Sequence, residues 1–162
     1  MRYLKSILFL VLAYFLMMGS RTKEIRLSEG IQPGNLAPEI NRQGINLKDN
    51  QFTLLQFWTA YDARSRMLNT QVHNVISRLE TDTIRLISIA LEENEAVFEG
   101  VVKADRLNRA TQFNDPRGRK SEIFKTYRLK SGFTNFLIDS KGIIVAKNVK
   151  PQEITRYIGI HL

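Results

Sequence analysis

Asp62, Ser65 and His73 are the residue types of a hydrolytic triad, and they lie close together in the sequence. A serine nucleophile needs a histidine base within about 3 Å of its hydroxyl. Residues 63–79 carry apolar side chains at helical spacing, which places Ser65 and His73 on one predicted helix. At 1.5 Å of rise per residue, eight positions separate them by about 12 Å. This distance excludes a triad, and we expect His73 to be a partly exposed helix residue.

The composition excludes several other kinds of chemistry. The chain has 162 residues and no cysteine, so it forms no disulfide, no cysteine-ligated zinc site and no thiol nucleophile of its own. Its two histidines, His73 and His161, are too few for a histidine-rich metal site. We therefore expect neither a metal nor a cofactor. The values of 43% hydrophobic and 25% charged residues are typical of a globular domain.

The first twenty residues have the pattern of an export signal. Arg2 and Lys5 precede an uncharged apolar run from Ser6 to Gly19, which is shorter than the roughly 20 residues of a membrane-spanning helix. Residues 15–20 resemble a lipoprotein box, but Ser20 replaces the acylated cysteine. We expect residues 1–20 to be a signal peptide or a short signal anchor. The protein would then lie in the cell envelope, periplasmic or membrane-anchored, and not in the cytoplasm.

The rest of the chain is predicted to be a linker and one domain. Residues 21–34 are polar, with Gly30, Pro33 and Gly34, and lead into a domain at residues 35–162. Hydrophobic periodicity predicts strands and helices within that domain. The predicted strands are 52–58, 84–91, 133–138 and 143–147, and the predicted helices are 63–79, 95–107, 121–127 and one starting at Pro151. The apolar face of the first helix is predicted to comprise Met67, Leu68, Val72, Val75, Ile76 and Leu79.

The order of these elements limits the topology. A strand, a helix and a second strand require a parallel pair with a right-handed crossover. The last two strands flank Asp139-Ser-Lys-Gly142, a turn whose glycine suits a positive φ, so they must pair as an antiparallel hairpin. A mixed sheet with helices on both faces satisfies both conditions. The sequence therefore predicts an α/β domain, with residues 109–119 as a loop.

Three segments resemble thioredoxin-like proteins of the TlpA/ResA and AhpC/TSA redoxin type. Asn35-Leu-Ala-Pro-Glu39 is similar to the family's lead-in segment. Gln56-Phe-Trp-Thr-Ala-Tyr-Asp-Ala-Arg-Ser-Arg66 is similar to its active-site stretch, and residues 127–142 are similar to the stretch around its loop proline. The resemblance covers about residues 33–162. It implies a thioredoxin-like three-layer sandwich with a mixed central sheet.

The resemblance also shows what this chain lacks. The family's attacking cysteine, resolving cysteine and loop proline correspond to Asp62, Ser65 and Phe133. A carboxylate and a hydroxyl cannot exchange electrons through a mixed disulfide. A helix N-terminus that stabilises a thiolate also suits a carboxylate, so we expect Asp62 to cap the helix. A cis bond before a residue other than proline is costly, so we expect a trans Gly132–Phe133 bond.

Several side chains around the degenerate motif are candidates for binding. Trp58 is expected to pack under the start of the helix, with Tyr61 near the surface. Tyr61 and Phe133 could form an apolar lip where redox relatives hold an extended peptide. The predicted binding residues are Trp58, Tyr61, Asp62, Ser65, Phe133 and Thr134.

A basic segment supplies a second candidate surface. Residues 101–130 contain nine lysines and arginines against three carboxylates. They suit an anionic membrane surface or an acidic partner, and 117–120 could form an anion-binding nest. Export argues against nucleic acid.

The leading hypothesis is an exported, non-enzymatic module that binds an unidentified peptide or protein. Non-thiol catalysis at Asp62, or a membrane-tethered accessory that uses its basic face, are the alternatives.

Overall fold

A computed structural model describes residues 27–42, 44–79 and 81–159. The predicted signal segment, residues 21–26 of the predicted linker and His161 lie outside the described residues. The strands are β1 (Phe52–Trp58), β2 (Ile84–Ala90), β3 (Gln112–Asn114), β4 (Asn135–Asp139) and β5 (Ile144–Lys147). The α-helices are α1 (Ala63–Arg78), α2 (Glu95–Ala104), α3 (Glu122–Thr126) and α4 (Ile154–Tyr157). Within the described residues, no helix is both long enough and apolar enough to span a membrane.

The strands form one mixed sheet in the order β3-β2-β1-β4-β5. β1 pairs parallel with β2 and antiparallel with β4, and β4 pairs antiparallel with β5. Gly142 has a φ of 82° in the hairpin turn, as expected. The predicted α/β fold with a mixed sheet is confirmed.

Residues 109–119 are more structured than predicted. Gln112–Asn114 pairs parallel with β2 as an edge strand, and short 3-10 helices lie on either side, at Arg109–Thr111 and Gly118–Lys120. The prediction of a loop was wrong because three residues are too few to show an alternating pattern.

Side chains of β1 alternate between two cores. Leu55 and Phe57 pack on the face covered by α3 and by the lead-in segment. Leu54 packs on the opposite face, against residues of α1 and α4. Trp58 packs on that same side, in a cluster with residues of α2. Helices therefore cover both faces of the sheet, as predicted.

The buried face of α1 is partly polar. Ser65, Asn69 and His73, spaced four residues apart, point inward together with Val72. Asn69 Nδ2 donates to Gln112 Oε1 at 3.1 Å, and Ser88 Oγ donates to Asn69 Oδ1 at 2.6 Å. These bonds satisfy the buried groups and fix the helix against β2 and β3.

Two predictions for α1 were therefore wrong. Met67 was placed on the buried face, but it is 56% exposed. His73 was expected to be partly exposed, but it is 7% exposed, and its Nε2 accepts a hydrogen bond of 2.9 Å from the backbone N–H of Asn108. Both errors have the same cause. The buried face of α1 includes polar side chains, so it is turned about the helix axis relative to the face that apolar periodicity alone predicts.

Candidate functional site

Asp62 begins α1 as its N-cap. Its backbone is extended, with φ of −100° and ψ of 95°, and its Oδ1 accepts a hydrogen bond of 2.7 Å from the backbone N–H of Ser65. This confirms the predicted cap. Asp62 Oδ1 thus accepts a hydrogen bond from one of the backbone N–H groups that have no partner within the helix at its start.

The Ser65 hydroxyl is also engaged locally. It donates to the carbonyl oxygen of Asp62 at 3.1 Å and lies 3.4 Å from the backbone nitrogen of Thr59. Ser65 is only 3% exposed. The imidazole of His73 faces Asn108, so it does not serve Ser65 as a base. The pair Asp62 and Ser65 therefore closes the start of the helix and forms no nucleophile–base arrangement with His73.

A loop facing the helix start takes the place of the family's proline loop. The Gly132–Phe133 bond is trans, as predicted, and Gly132 has a φ of 133°. Phe133 is half-buried against the core on the α3 side of the sheet. The carbonyl oxygen of Thr134 accepts from the backbone N–H of Phe57 at 3.1 Å, and its hydroxyl bonds to the Asn148 side chain. The loop is thus attached firmly to β1.

Two adjoining cavities meet between this loop and the start of α1, and we call them together the site groove. The larger, of about 600 Å³, includes Asp62, Ser65, Phe133 and Thr134 in its lining. The smaller, of about 380 Å³, shares Asp62 and Phe133 and adds Tyr61. The structure therefore brings together five of the six predicted binding residues.

Trp58 does not line the site groove. It is fully buried, and its ring centroid lies 6.1 Å from that of Phe98 in α2. The expectation of core packing is therefore confirmed, whereas the inclusion of Trp58 among the binding residues is corrected.

Tyr61 stands on the rim of the groove. It is 61% exposed, although large aromatic side chains are usually buried. Its hydroxyl lies 3.3 Å from Arg119 Nε, which is placed to donate to it, and the guanidinium carbon lies 5.8 Å from the ring centroid. A cation over the ring holds the aromatic in place at the surface.

The larger cavity of the groove is lined by four cations, none of them among the predicted binding residues. These are Arg64, Arg128, Lys147 and Lys150. Arg128 belongs to the basic segment 101–130, whereas the other three lie outside it and no local pattern pointed to them together. A signal was available for Arg64, since a cation in the first turn of a helix is unfavourable for the helix dipole.

The predicted anion-binding nest at 117–120 was wrong because the chain supplies its own anion there. Asp115, which is 2% exposed, accepts hydrogen bonds from the backbone N–H of Arg117 at 3.1 Å and from Arg117 Nε at 3.0 Å. Ser121 Oγ donates to its other oxygen. Burial opposes ionisation of Asp115, but the hydrogen bonds from Arg117 and Ser121 outweigh it and lower the pKa to about 2.

The basic segment is partly neutralised in the folded protein. Arg109 pairs with Glu99 at 2.9 Å, Arg117 with Asp115 at 2.9 Å and Lys125 with Glu122 at 2.8 Å.

Among the residues that the structure describes, no group of three or more His, Cys, Asp or Glu side chains is arranged to hold a metal ion.

The comparisons with known proteins agree with this fold. A solved thioredoxin-like protein from Parabacteroides distasonis is 41% identical, with a TM-score of 0.76, and the match covers 83% of this chain and 99% of that one. The chain therefore belongs to the thioredoxin-like family. No protein-family model matches it.

Two thiol-disulfide oxidoreductases are more distant relatives. The sporulation thiol-disulfide oxidoreductase A of Bacillus subtilis is 28% identical over 104 residues, or 62% of this chain, and the match spans 61% of that protein's length. A thiol-disulfide oxidoreductase from Bacteroides fragilis has a TM-score of 0.57 at 22% identity, covering 68% of this chain and 80% of that one. The latter similarity shows the fold alone.

Proposed function

We propose that this protein binds a peptide or protein segment in the site groove and performs no thiol-disulfide exchange. The single observation that carries the proposal is the hydrogen bond between Asp62 and Ser65 at the start of α1, beside an open groove. The side chains at the family's redox positions are committed to capping the helix. The groove beside them is open and is lined by Phe133 and Thr134.

The groove has features of a recognition surface. It contains an exposed aromatic side chain, Tyr61, and a half-buried one, Phe133, which line the same cavity. Exposed aromatics beside a concave surface are frequent anchors of binding energy. The loop from Gly132 to Thr134 has its backbone fixed by β1, so a bound segment would meet a preorganised edge.

The experiment that tests this proposal has two arms on the purified full chain. In the first, the protein is assayed for thiol-dependent reduction of insulin, and we expect the rate of buffer alone. In the second, a display library of random peptides is selected on the wild type and on Tyr61→Ala/Phe133→Ala. We expect enriched peptides that bind the wild type and lose affinity for the double variant.

The matched control is Val97→Ala, which removes an exposed apolar side chain on α2, outside the groove. It should bind the selected peptides like the wild type. Insulin reduction above the buffer rate would overturn the non-redox part of the proposal. Equal peptide affinity of the wild type and the double variant would overturn the binding site.

We also propose a location in the cell envelope, supported by the basic and apolar pattern of residues 1–20. Residues 1–34 fused to alkaline phosphatase, which needs disulfides and hence an oxidising compartment, should give an active reporter. Replacement of Arg2 and Lys5 by glutamate should lower that activity. An inactive wild-type fusion would contradict export.

The alternative of an accessory that docks through its basic face makes a different prediction. Lys103 and Lys120 are exposed and lie outside the groove, and they can be reversed to glutamate without breaking an ion pair of the described residues, unlike Arg117. Arg119 is left unchanged because it contacts Tyr61 at the rim of the groove. Loss of partner binding on this reversal, with no effect of Tyr61→Ala/Phe133→Ala, would favour the accessory role over the groove.

A further inference from the structure

The larger cavity of the site groove has an unbalanced charge. Arg64, Arg128, Lys147 and Lys150 line it, and Asp62 is the single carboxylate among its lining residues. One oxygen of that carboxylate is already occupied by the Ser65 N–H. The cavity therefore carries an excess of three positive charges at neutral pH.

These four cations are also without ionic partners in the part of the chain that the structure describes. The ion pairs found there use other basic residues, namely Arg66, Arg85, Arg109, Arg117 and Lys125. Lys147 instead lies over the ring of Phe136, at 5.4 Å from its centroid. Like charges brought together around a concave surface repel one another and concentrate a positive potential there. An anionic ligand would relieve that repulsion.

Backbone strain is concentrated at the same place. Among the described residues, three that are not glycine have a positive φ, and two of them, Arg128 at 53° and Asn148 at 57°, line this cavity. Arg128 follows the C-cap of α3, where glycine is the usual residue because it has no side chain to clash. An arginine in this left-handed conformation makes the folded state less stable than a glycine would at the same position.

Such a cost at a groove is a known sign of function. The Arg128 side chain makes no hydrogen bond or ion pair to the described residues that would explain its selection for folding. Arg128 lines the cavity from the turn between α3 and the loop of Phe133. A planar guanidinium is suited to two parallel hydrogen bonds to a carboxylate.

We propose, building on the proposed function of the groove, that the bound segment is an extended acidic peptide and that Arg128 receives one of its carboxylates. Lys147 and Lys150 provide the surrounding positive potential, and Tyr61 and Phe133 provide apolar contacts. The chain's own residues 1–26 are a poor match, since they contain five basic residues and one acidic residue. A concave groove also fits an extended chain better than a flat membrane.

Substitution of Arg128 is expected to change peptide affinity and thermal stability in different directions. Arg128→Gly should leave the unfolding temperature unchanged or raise it, because glycine accepts a positive φ freely. The same variant should bind acidic peptides about tenfold or more weakly, as expected for the loss of a charge-assisted hydrogen bond. A residue with a purely structural role would show a lowered unfolding temperature together with any loss of binding.

The test uses the peptide display selection on full-length wild type and Arg128→Gly, followed by affinity measurements with the enriched peptides and with copies that carry glutamine for every glutamate. We expect enrichment of aspartate and glutamate on the wild type only, and weak binding of the glutamine copies. Lys141→Gln, which removes an exposed cation in the β4–β5 turn, is the control and should behave like the wild type. Arg128→Asn provides a second variant, since asparagine also tolerates a positive φ.

The possible outcomes distinguish the preference for acidic peptides from peptide binding in the groove, on which that preference rests. Enriched peptides that need Tyr61 and Phe133 but carry no acidic residues would overturn the acidic preference and leave groove binding intact. No groove-dependent peptide at all would overturn both. Phosphatidylglycerol vesicles that bind the wild type and not Arg128→Gly, in the absence of acidic peptides, would overturn the peptide in favour of a membrane surface.

Discussion

The Asp62 carboxylate holds the backbone N–H of Ser65 at 2.7 Å, where the redox members of the family have a pair of cysteines. The positive field at a helix N-terminus can stabilise a thiolate. At the start of α1 it stabilises the carboxylate of Asp62. Both positions thus take part in the start of α1. This relationship leads to a first prediction about stability.

Asp62→Ala should lower the free energy of unfolding by about 1 kcal/mol, because the substitution leaves the Ser65 N–H without its cap. Asp62→Asn keeps an oxygen in the same place and should cost much less. Urea denaturation of the two variants checks the difference. Equal stability of Asp62→Ala and the wild type would show that the hydrogen bond contributes nothing.

A second prediction concerns redox chemistry. Introducing Asp62→Cys together with Ser65→Cys recreates the family's Cys-x-x-Cys spacing at a helix N-terminus, which lowers a thiol pKa. The double variant should form an internal disulfide and reduce insulin measurably with a thiol donor. The single variant Ser65→Cys, with no partner thiol, is the control and should not form that disulfide. An inert double variant would mean that the loop at Phe133 also blocks exchange.

A third prediction concerns the buried polar contacts of α1. Asn69→Ala removes two hydrogen bonds and leaves the Ser88 hydroxyl and Gln112 Oε1 without those partners in the core. We expect a loss of about 3 kcal/mol in unfolding free energy. Gln71→Ala, at an exposed position of the same helix, should change stability by less than about 0.5 kcal/mol. Similar losses in both variants would contradict a specific role for Asn69.

A fourth prediction concerns acid. The pKa of Asp115 is lowered to about 2 in the folded protein, below its ordinary value of about 3.9, so the ionised carboxylate stabilises the fold at higher pH. Its contribution, of the order of 2 kcal/mol, should be complete above about pH 4 and disappear as the pH falls toward 2. The difference in unfolding free energy between the wild type and Asp115→Asn should shrink over this range. A constant difference from pH 6 to pH 2 would contradict the assignment.

The sequence predicted the sheet well because its strands are long and apolar. Phe52–Trp58 was predicted with the observed bounds, and Ile84–Ala90 within one residue. Asp62 was predictable as a cap since its chemistry is local. In contrast, Gln112–Asn114 is a strand only because β2 lies beside it.

The parts of the site that sequence reasoning missed depend on tertiary structure. His73 is buried because Asn108, 35 positions further along the chain, donates to it. Arg64, Arg128 and Lys147 converge on one cavity only after α1, the α3 turn and β5 have packed together. Charge counted along the chain drew attention to residues 101–130, which include Arg128, but not to Arg64, Lys147 and Lys150, which line the same cavity.

The groove beside the helix cap is the proposed binding surface, and NMR can locate the bound peptide directly. Amide chemical shifts of the full chain are mapped during titration with an acidic peptide obtained from the display selection. We expect the shift changes to concentrate at residues 61–65, 128–134 and 147–150 and to vanish in Tyr61→Ala/Phe133→Ala. Changes concentrated at residues 95–110, outside the groove, would show that the peptide binds elsewhere.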